Sequence, residues 1–194
     1  YKRQAQRGLS FLKTNTYNDN VFDLLDFTMK AYFNLSYYQQ GLEMAGRIEN
    51  ILKRTKKEEF LFDIKNTICA YNIDLRNLAL AQKGLDDLIK KGVERFPNVY
   101  KNVMINLALI ERMNGKYEKA VSILKDALLM AEEKDLPEPE KISYNIAQNY
   151  NLMGNIQEAE KYFLRAYEKA SEKKKFSVLC ASNTNLGIIC MQKG

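Results

Sequence analysis

The chain has 194 residues, of which 46% are hydrophobic and 28% charged, so it carries enough apolar material for one sizeable core. No stretch approaches the roughly 20 uninterrupted apolar residues that a membrane span needs, so we expect no membrane association. Lysine and arginine outnumber the acidic residues by 30 to 24. The basic clusters are short and lie near predicted helix ends, where the helix dipole favours cations, so nucleic-acid binding through this segment is not expected.

Cysteine and histidine usage bears on the compartment and on the chemistry. Cys69, Cys180 and Cys190 form no close pair, and the last two are predicted on one helix, about 15 Å apart, too far for a disulfide. A reducing compartment follows, and we expect a cytoplasmic location. Histidine is absent, and the sequence holds no phosphate-binding loop, metal motif or nucleophile elbow. We therefore expect no enzyme activity, no metal and no cofactor.

Helical patterning runs along the chain, which has only three prolines and nine glycines. Pro97, Pro137 and Pro139 fall between predicted helices, where a linker or a first helical turn accepts proline. The helices are expected at about 1–14, 20–35, 37–55, 58–74, 77–94, 98–114, 117–134, 139–153, 156–173 and 176–192.

A repeat of 39 residues is visible in the second half of the chain. A small residue, a glycine and an alanine recur at the same internal offsets: Ala108, Gly115 and Ala120, then Ala147, Gly154 and Ala159. The same register places further small residues at Gly41, Cys69, Ala81 and Gly187. Small side chains let two antiparallel helices approach closely, and the turn between them requires a residue that tolerates positive φ. Larger residues at the next slots, Leu85, Leu124 and Phe163, are expected to fill the space between successive hairpins.

The pattern Gly-x-Tyr-x-x-Ala-x-x-x-Leu-x-x-Ala, from Gly115 to Ala127, resembles the tetratricopeptide repeat. The repeat length of 39–40 residues exceeds the family's usual 34, and in this the chain is similar to kinesin light chains, LGN/Pins adaptors and Rap and PlcR-type peptide receptors. Arg76 and Leu78 depart from the pattern, because they stand where the turn glycine and the tyrosine belong. The resemblance implies an all-α fold, an α-α superhelix of about four helical hairpins plus flanking helices.

The whole chain, 1–194, is predicted to form a single solenoid. Its units are a weak repeat at 20–56, repeats at 58–96, 97–136 and 138–175, and a partial repeat at 176–194. The last helix would leave an apolar face open, so we expect the chain to be an excerpt of a longer protein.

Asparagine stands two residues before the small slot in three successive repeats, at Asn106, Asn145 and Asn185. Asparagine is a mediocre helix former, and its amide both donates and accepts hydrogen bonds. The resemblance implies that these residues form a ladder on the concave wall that binds the backbone of an extended peptide. The alternative is that they tie loops or neighbouring helices together.

Other residues three or four positions away are expected on the same face. They are Asn102, Leu109, Lys141, Gln148 and Ile188, with Tyr144 as a groove aromatic. This mixture of amides, one cation and apolar surface suits a peptide with a few apolar anchors. A clamp for two carboxylates, which some family members use for chaperone tails, fits less well, because only Lys141 and Arg112 supply positive charge there.

Three functions remain open. The favoured one is an adaptor or scaffold that binds a protein or peptide partner in the concave groove. The second is a ligand- or peptide-sensing domain of a bacterial transcriptional or signalling regulator. The third is a structural solenoid within an assembly, for which a homo-oligomer through open solenoid ends is one form.

Overall fold

The structure, a computed structural model, describes residues 27–29, 31–33, 35–53 and 57–193. Within these ranges every regular element is helical. Residues 27–29 and 31–33 are helical, and the longer elements are α1 (Tyr38–Leu52), α2 (Glu58–Asp74), α3 (Leu78–Lys90), α4 (Pro97–Met113), α5 (Tyr117–Glu133), α6 (Pro139–Leu152), α7 (Ile156–Glu172) and α8 (Phe176–Lys193). The predicted all-α class is confirmed. The helix predicted at 1–14 lies outside the described residues.

The predicted helix at 77–94 is wrong at its C-terminal end. α3 stops at Lys90, and Gly92 adopts a φ of +78°. A left-handed residue cannot continue a right-handed helix, so the chain turns and passes through a short 3-10 helix, Val93–Arg95. Pro97 then occupies the first turn of α4, where its fixed φ suits the helix and its missing N–H costs nothing.

The chain divides into two compact units, Tyr1–Leu88 and Ile89–Gly194. In the first unit α1 packs on α2, and Gly41 of α1 faces the ring of Tyr71 on α2. A Cβ at Gly41 would lie 2.3 Å from Cζ of that ring, so even alanine does not fit there. The Tyr71 hydroxyl donates to the Met29 carbonyl oxygen at 2.7 Å, which satisfies its buried polar group.

In the second unit α4 packs on α5, α5 on α6, α6 on α7 and α7 on α8. The predicted small and large slot residues share one core: Ala108, Ala120, Leu124, Ala147, Ala159 and Phe163. Small residues at the helix contacts and large ones between hairpins therefore pack as the register indicated. Gly187 behaves differently. It is exposed, and a Cβ there would meet no atom of the described residues within 4 Å.

α7 illustrates why these segments are helices. Its buried residues recur at the helical period and are Ala159, Phe163, Ala166 and Ala170. The Asn155 side chain caps the first turn by accepting from the Glu158 N–H at 3.2 Å. A regular apolar stripe and a satisfied N-terminus together make helix the favoured conformation of this segment.

The turns of the repeat use one backbone geometry. A residue of positive φ ends the helix, and the next N–H donates to the carbonyl five residues earlier, as Lys116 does to Glu111 and Asn155 to Tyr150, each at 2.9 Å. The residues of positive φ in these turns are Ser36, Arg76, Gly115, Asp135, Gly154 and Lys174. The positive φ predicted for Gly115 and Gly154 is confirmed.

Candidate functional site

The first helices of successive hairpins in the second unit, α4, α6 and α8, carry the residues predicted for the binding face. α4 is held against the loop before α6 by Lys101, a buried side chain. Its ammonium donates to the Pro137 carbonyl oxygen at 2.7 Å and to Asn98 Oδ1 at 3.0 Å. Burial lowers the pKa of Lys101, and the nearby carboxylate of Glu138 opposes that shift. This buried anchor fixes the start of α6 relative to α4.

A chain of hydrogen bonds crosses the three helices. The Arg112 guanidinium donates to Gln148 Oε1 at 2.7 Å. The Gln148 amide nitrogen donates to the Tyr144 hydroxyl oxygen at 3.2 Å, and the Asn185 amide nitrogen donates to the same oxygen at 3.3 Å. We name these four half-buried residues the polar row. Because the Tyr144 oxygen accepts from two amides, its own proton remains as a donor.

Tyr144 joins the polar row to the core. Its ring meets buried Phe163 of α7 edge-on, with ring centroids 5.5 Å apart and an interplanar angle of 61°. Aromatic pairs prefer this geometry, and it restrains the phenol ring. The residue predicted as a groove aromatic therefore has its ring in the core and its hydroxyl in the polar row.

Arg112 is, like Lys101, a cation of this unit whose hydrogen-bond partners among the described residues are neutral. Burial lowers the pKa of its guanidinium, and the Tyr144 hydroxyl opposes that shift. The group stays protonated, because an arginine does not lose its proton in proteins. Among the described residues no carboxylate lies within 4.0 Å of it, and its hydrogen-bond partner is the neutral Gln148 oxygen. A partly desolvated cation is therefore matched only by an amide.

The three predicted asparagines are all half-buried on α4, α6 and α8, but their contacts differ. Asn185 donates to Tyr144 and also to the Ala181 carbonyl oxygen at 2.8 Å, so it does link two neighbouring helices. Asn145 follows Tyr144 directly in α6, and within the described part of the chain its side-chain amide makes no hydrogen bond. Asn145 therefore has more hydrogen-bonding capacity to offer than Asn185.

The remaining predicted residues are placed less uniformly. Asn102 and Leu109 are half-buried on α4, and Ile188 is 44% exposed on α8. Lys141 is exposed and forms an ion pair with Glu138 in the loop before α6. Its charge is thus already countered, and it is not part of the polar row.

The sequence pattern does not single out Arg112, although the structure makes it the cation of the polar row. One signal was available. Arg112 follows Leu109 by three positions, and residues three apart lie on the same helix face. Its bond to Gln148, 36 residues further on, could not be read from the sequence.

Residues 100–172 match the tetratricopeptide repeat profile, which confirms the resemblance there. No curated protein matches the chain. A Rap conjugation gene regulator of plasmid pLS20, in complex with the Phr* peptide, is similar with a TM-score of 0.81 and 14% identity, over 93% of this chain and 50% of that one. Aspartyl phosphate phosphatase F from Bacillus subtilis is similar with a TM-score of 0.73 and 16% identity, over 90% and 46% of the two chains.

Kinesin light chain repeats of Podosopora anserina give a TM-score of 0.64 at 14% identity, over 92% of this chain and 90% of that one. These identities are low, so the likeness establishes the fold, a tetratricopeptide-type helical solenoid. The chain spans about half the length of the Rap regulator and of phosphatase F.

The described residues include none of the long, apolar helices that a membrane span requires. They also include no group of three or more cysteines, aspartates or glutamates arranged to hold a metal ion.

Proposed function

We propose that this chain is a protein–protein interaction module that binds an extended peptide, or an extended segment of a partner protein, across α4, α6 and α8. The observation that carries the proposal is the polar row. It brings together half-buried hydrogen-bonding side chains of α4, α6 and α8, and it includes a cation that meets no carboxylate in the part of the chain that the structure describes.

The spacing of the helices suits an extended chain. Hydrogen bonds join α4 directly to α6 and α6 directly to α8, so these helices are neighbours on this face. Neighbouring packed helices lie about 8–10 Å apart and an extended chain advances about 3.3 Å per residue, so each successive first helix would meet roughly every third residue. The Asn145 amide and the Tyr144 proton are positioned to bond backbone groups, which every sequence offers. Leu109 and Ile188 would add contacts with apolar side chains and thus selectivity.

The comparison supports peptide binding in one respect. The Rap regulator, which shares the fold, was solved with a peptide bound. The same likeness favours the second candidate, a peptide-sensing domain of a bacterial regulator, over a purely structural solenoid. A role as adaptor or scaffold requires only the same binding face, with the partner segment in place of a free peptide.

We propose binding without catalysis. The sequence has no histidine, and the polar row contains no nucleophile–base pair. The likeness to a phosphatase establishes the fold alone, and a fold does not by itself carry an activity.

The test is a selection of random eight-residue peptides on the full chain, followed by affinity measurement for the enriched peptides. The double variant Asn106→Ala, Asn145→Ala should bind them about 10–30-fold more weakly, since each lost hydrogen bond contributes about 1 kcal/mol. The matched control is Asn50→Ala, Asn183→Ala, which removes two exposed asparagines from α1 and α8 outside the polar row. Failure to enrich any peptide, or unchanged affinity in a folded double variant, would contradict the proposal.

A further inference from the structure

We infer that the segment bound on this face presents a carboxylate to Arg112, and that this carboxylate displaces the Gln148 oxygen from the guanidinium. The inference rests on the proposed function and adds the chemistry of the occupant at one point. The carboxylate belongs either to an aspartate or glutamate side chain or to the peptide's C-terminus, and the experiment below separates the two sources.

Arg112 contrasts with two other basic side chains of the second unit, Arg165 and Lys119. Arg165 lies 2.6 Å from a carboxylate oxygen of Glu132, and Lys119 lies 2.6 Å from one of Glu111. Both of these pairs are complete within the chain. Arg112 is half-buried like Arg165, yet within the described residues its guanidinium meets no acid.

The guanidinium group prefers a particular geometry of its partner. It carries five N–H donors in a planar fork, and this fork matches the two oxygens of a carboxylate better than the single oxygen of an amide. Partial burial removes water that would otherwise solvate the charge, so the free energy gained from a matching anion is larger than at an exposed site. The site is therefore selective for a carboxylate over a neutral group.

Gln148 is the residue that a bound carboxylate would displace. Its side-chain oxygen occupies the place of a carboxylate oxygen, and its nitrogen is tied to the Tyr144 hydroxyl. These bonds fix the position of Arg112 in the polar row. An incoming carboxylate replaces a hydrogen bond to a neutral oxygen with hydrogen bonds to an ionised one, so that both donor and acceptor carry charge.

Arg112 stands at one end of the polar row. It lies on α4, and Asn185 lies on α8, with α6 between them. An extended segment that crosses the three helices would therefore place its acidic group at the α4 end. Net positive charge on the whole chain, +6, favours the approach of an acidic partner.

The experiment uses the peptides enriched in the selection described above. Each is synthesised with a free or an amidated C-terminus, and with each Asp or Glu kept or replaced by Asn or Gln. Affinities for the full chain are measured by fluorescence anisotropy. We expect either amidation of the C-terminus or replacement of one acidic side chain to weaken binding about 10–100-fold. The change that weakens binding identifies the source of the carboxylate.

Two variants test the assignment to Arg112. Arg112→Gln should abolish the preference for the carboxylate form of the peptide, because the guanidinium is lost. Gln148→Glu should also abolish this preference although the guanidinium is kept, because the new glutamate supplies a competing carboxylate inside the chain. Lys161→Gln, which removes an exposed charge from α7, is the matched control and should leave the preference unchanged. Circular dichroism establishes that each variant is folded.

The outcomes separate this inference from the proposed function. Peptides that bind with no dependence on a carboxylate, or a preference that survives both Arg112→Gln and Gln148→Glu, overturn the inference and leave peptide binding intact. An equal loss for the acidic and the neutral peptide forms in Arg112→Gln also overturns it, because Arg112 would then be structural. Enrichment of no peptide at all overturns both.

Discussion

Arg76 adopts the left-handed conformation that glycine adopts at the same turn of the next two repeats. Its φ is +65°, against +75° at Gly115 and +74° at Gly154. A Cβ makes this conformation costly by roughly 1–2 kcal/mol, whereas glycine adopts it without strain. The surrounding helices therefore impose on Arg76 a geometry for which its side chain is poorly suited.

Replacement of Arg76 by glycine is expected to stabilise the protein by about 0.5–1 kcal/mol, because the relief of strain exceeds the extra backbone entropy that glycine loses on folding. The free energy of unfolding in urea measures the effect. Lys83→Gly, in the interior of α3, is the matched control and should destabilise by about 1 kcal/mol. A loss of stability in Arg76→Gly comparable to that of the control would contradict the strain argument.

At the scale of helices, an ion-pair cluster joins α5 to α7. Glu132 of α5 lies 2.6 Å from Arg165 and 3.0 Å from Lys169, both on α7. Burial raises the pKa of Glu132, but the hydrogen bonds from Arg165 and Lys169 outweigh burial and hold that pKa below its usual 4.5. The cluster is partly exposed, so its contribution to stability is modest, below about 1 kcal/mol.

The sign of the pH dependence follows from the lowered pKa. The folded protein binds the Glu132 proton less tightly than the unfolded chain, so the contribution is present above pH 4.5 and is lost as the pH falls through the folded pKa. Glu132→Gln should therefore reduce the free energy of unfolding at neutral pH and progressively less below pH 4.5. Glu133→Gln, at an exposed neighbouring position, is the control. An equal deficit at neutral and acidic pH would contradict the assignment.

At the scale of the whole molecule, the three cysteines report on the two units separately. Cys69 is buried in the first unit, whereas Cys180 and Cys190 are exposed on α8 in the second. Burial raises the pKa of the Cys69 thiol to about 11; Asp87 adds to the shift and Lys65 opposes it. Because the thiolate is the reactive form, Cys69 is both inaccessible and protonated at neutral pH.

Alkylation with iodoacetamide at neutral pH should modify Cys180 and Cys190 rapidly in the folded protein and Cys69 at least about 100-fold more slowly. Mass spectrometry of proteolytic fragments measures the rate at each site. In concentrated urea the three rates should converge. Equal rates in the folded protein would show that the first unit opens readily, contrary to the packing of Cys69.

The features that the sequence predicted well are local or periodic. Helix bounds follow from apolar spacing, and the positive φ of Gly115 and Gly154 follows from the tolerance of glycine. The end of α3 was missed because the helical pattern of charged and apolar residues continues past Gly92, although the left-handed φ there stops the helix. Periodicity measures burial, and it does not detect a single residue that reverses the backbone.

Residue spacing along the chain is sufficient to derive the repeat register, the helical class and the row of three asparagines, because each depends on the order of residues along one helix or one repeat. The contacts between helices are visible in the folded structure alone: Arg112 meets Gln148 and Tyr144 meets Asn185, and these pairs lie 36 and 41 residues apart. The absence of a carboxylate beside a half-buried Arg112, within the described ranges, likewise depends on how every neighbouring helix packs. Such contacts arise from packing in three dimensions, for which spacing along the chain carries no signal.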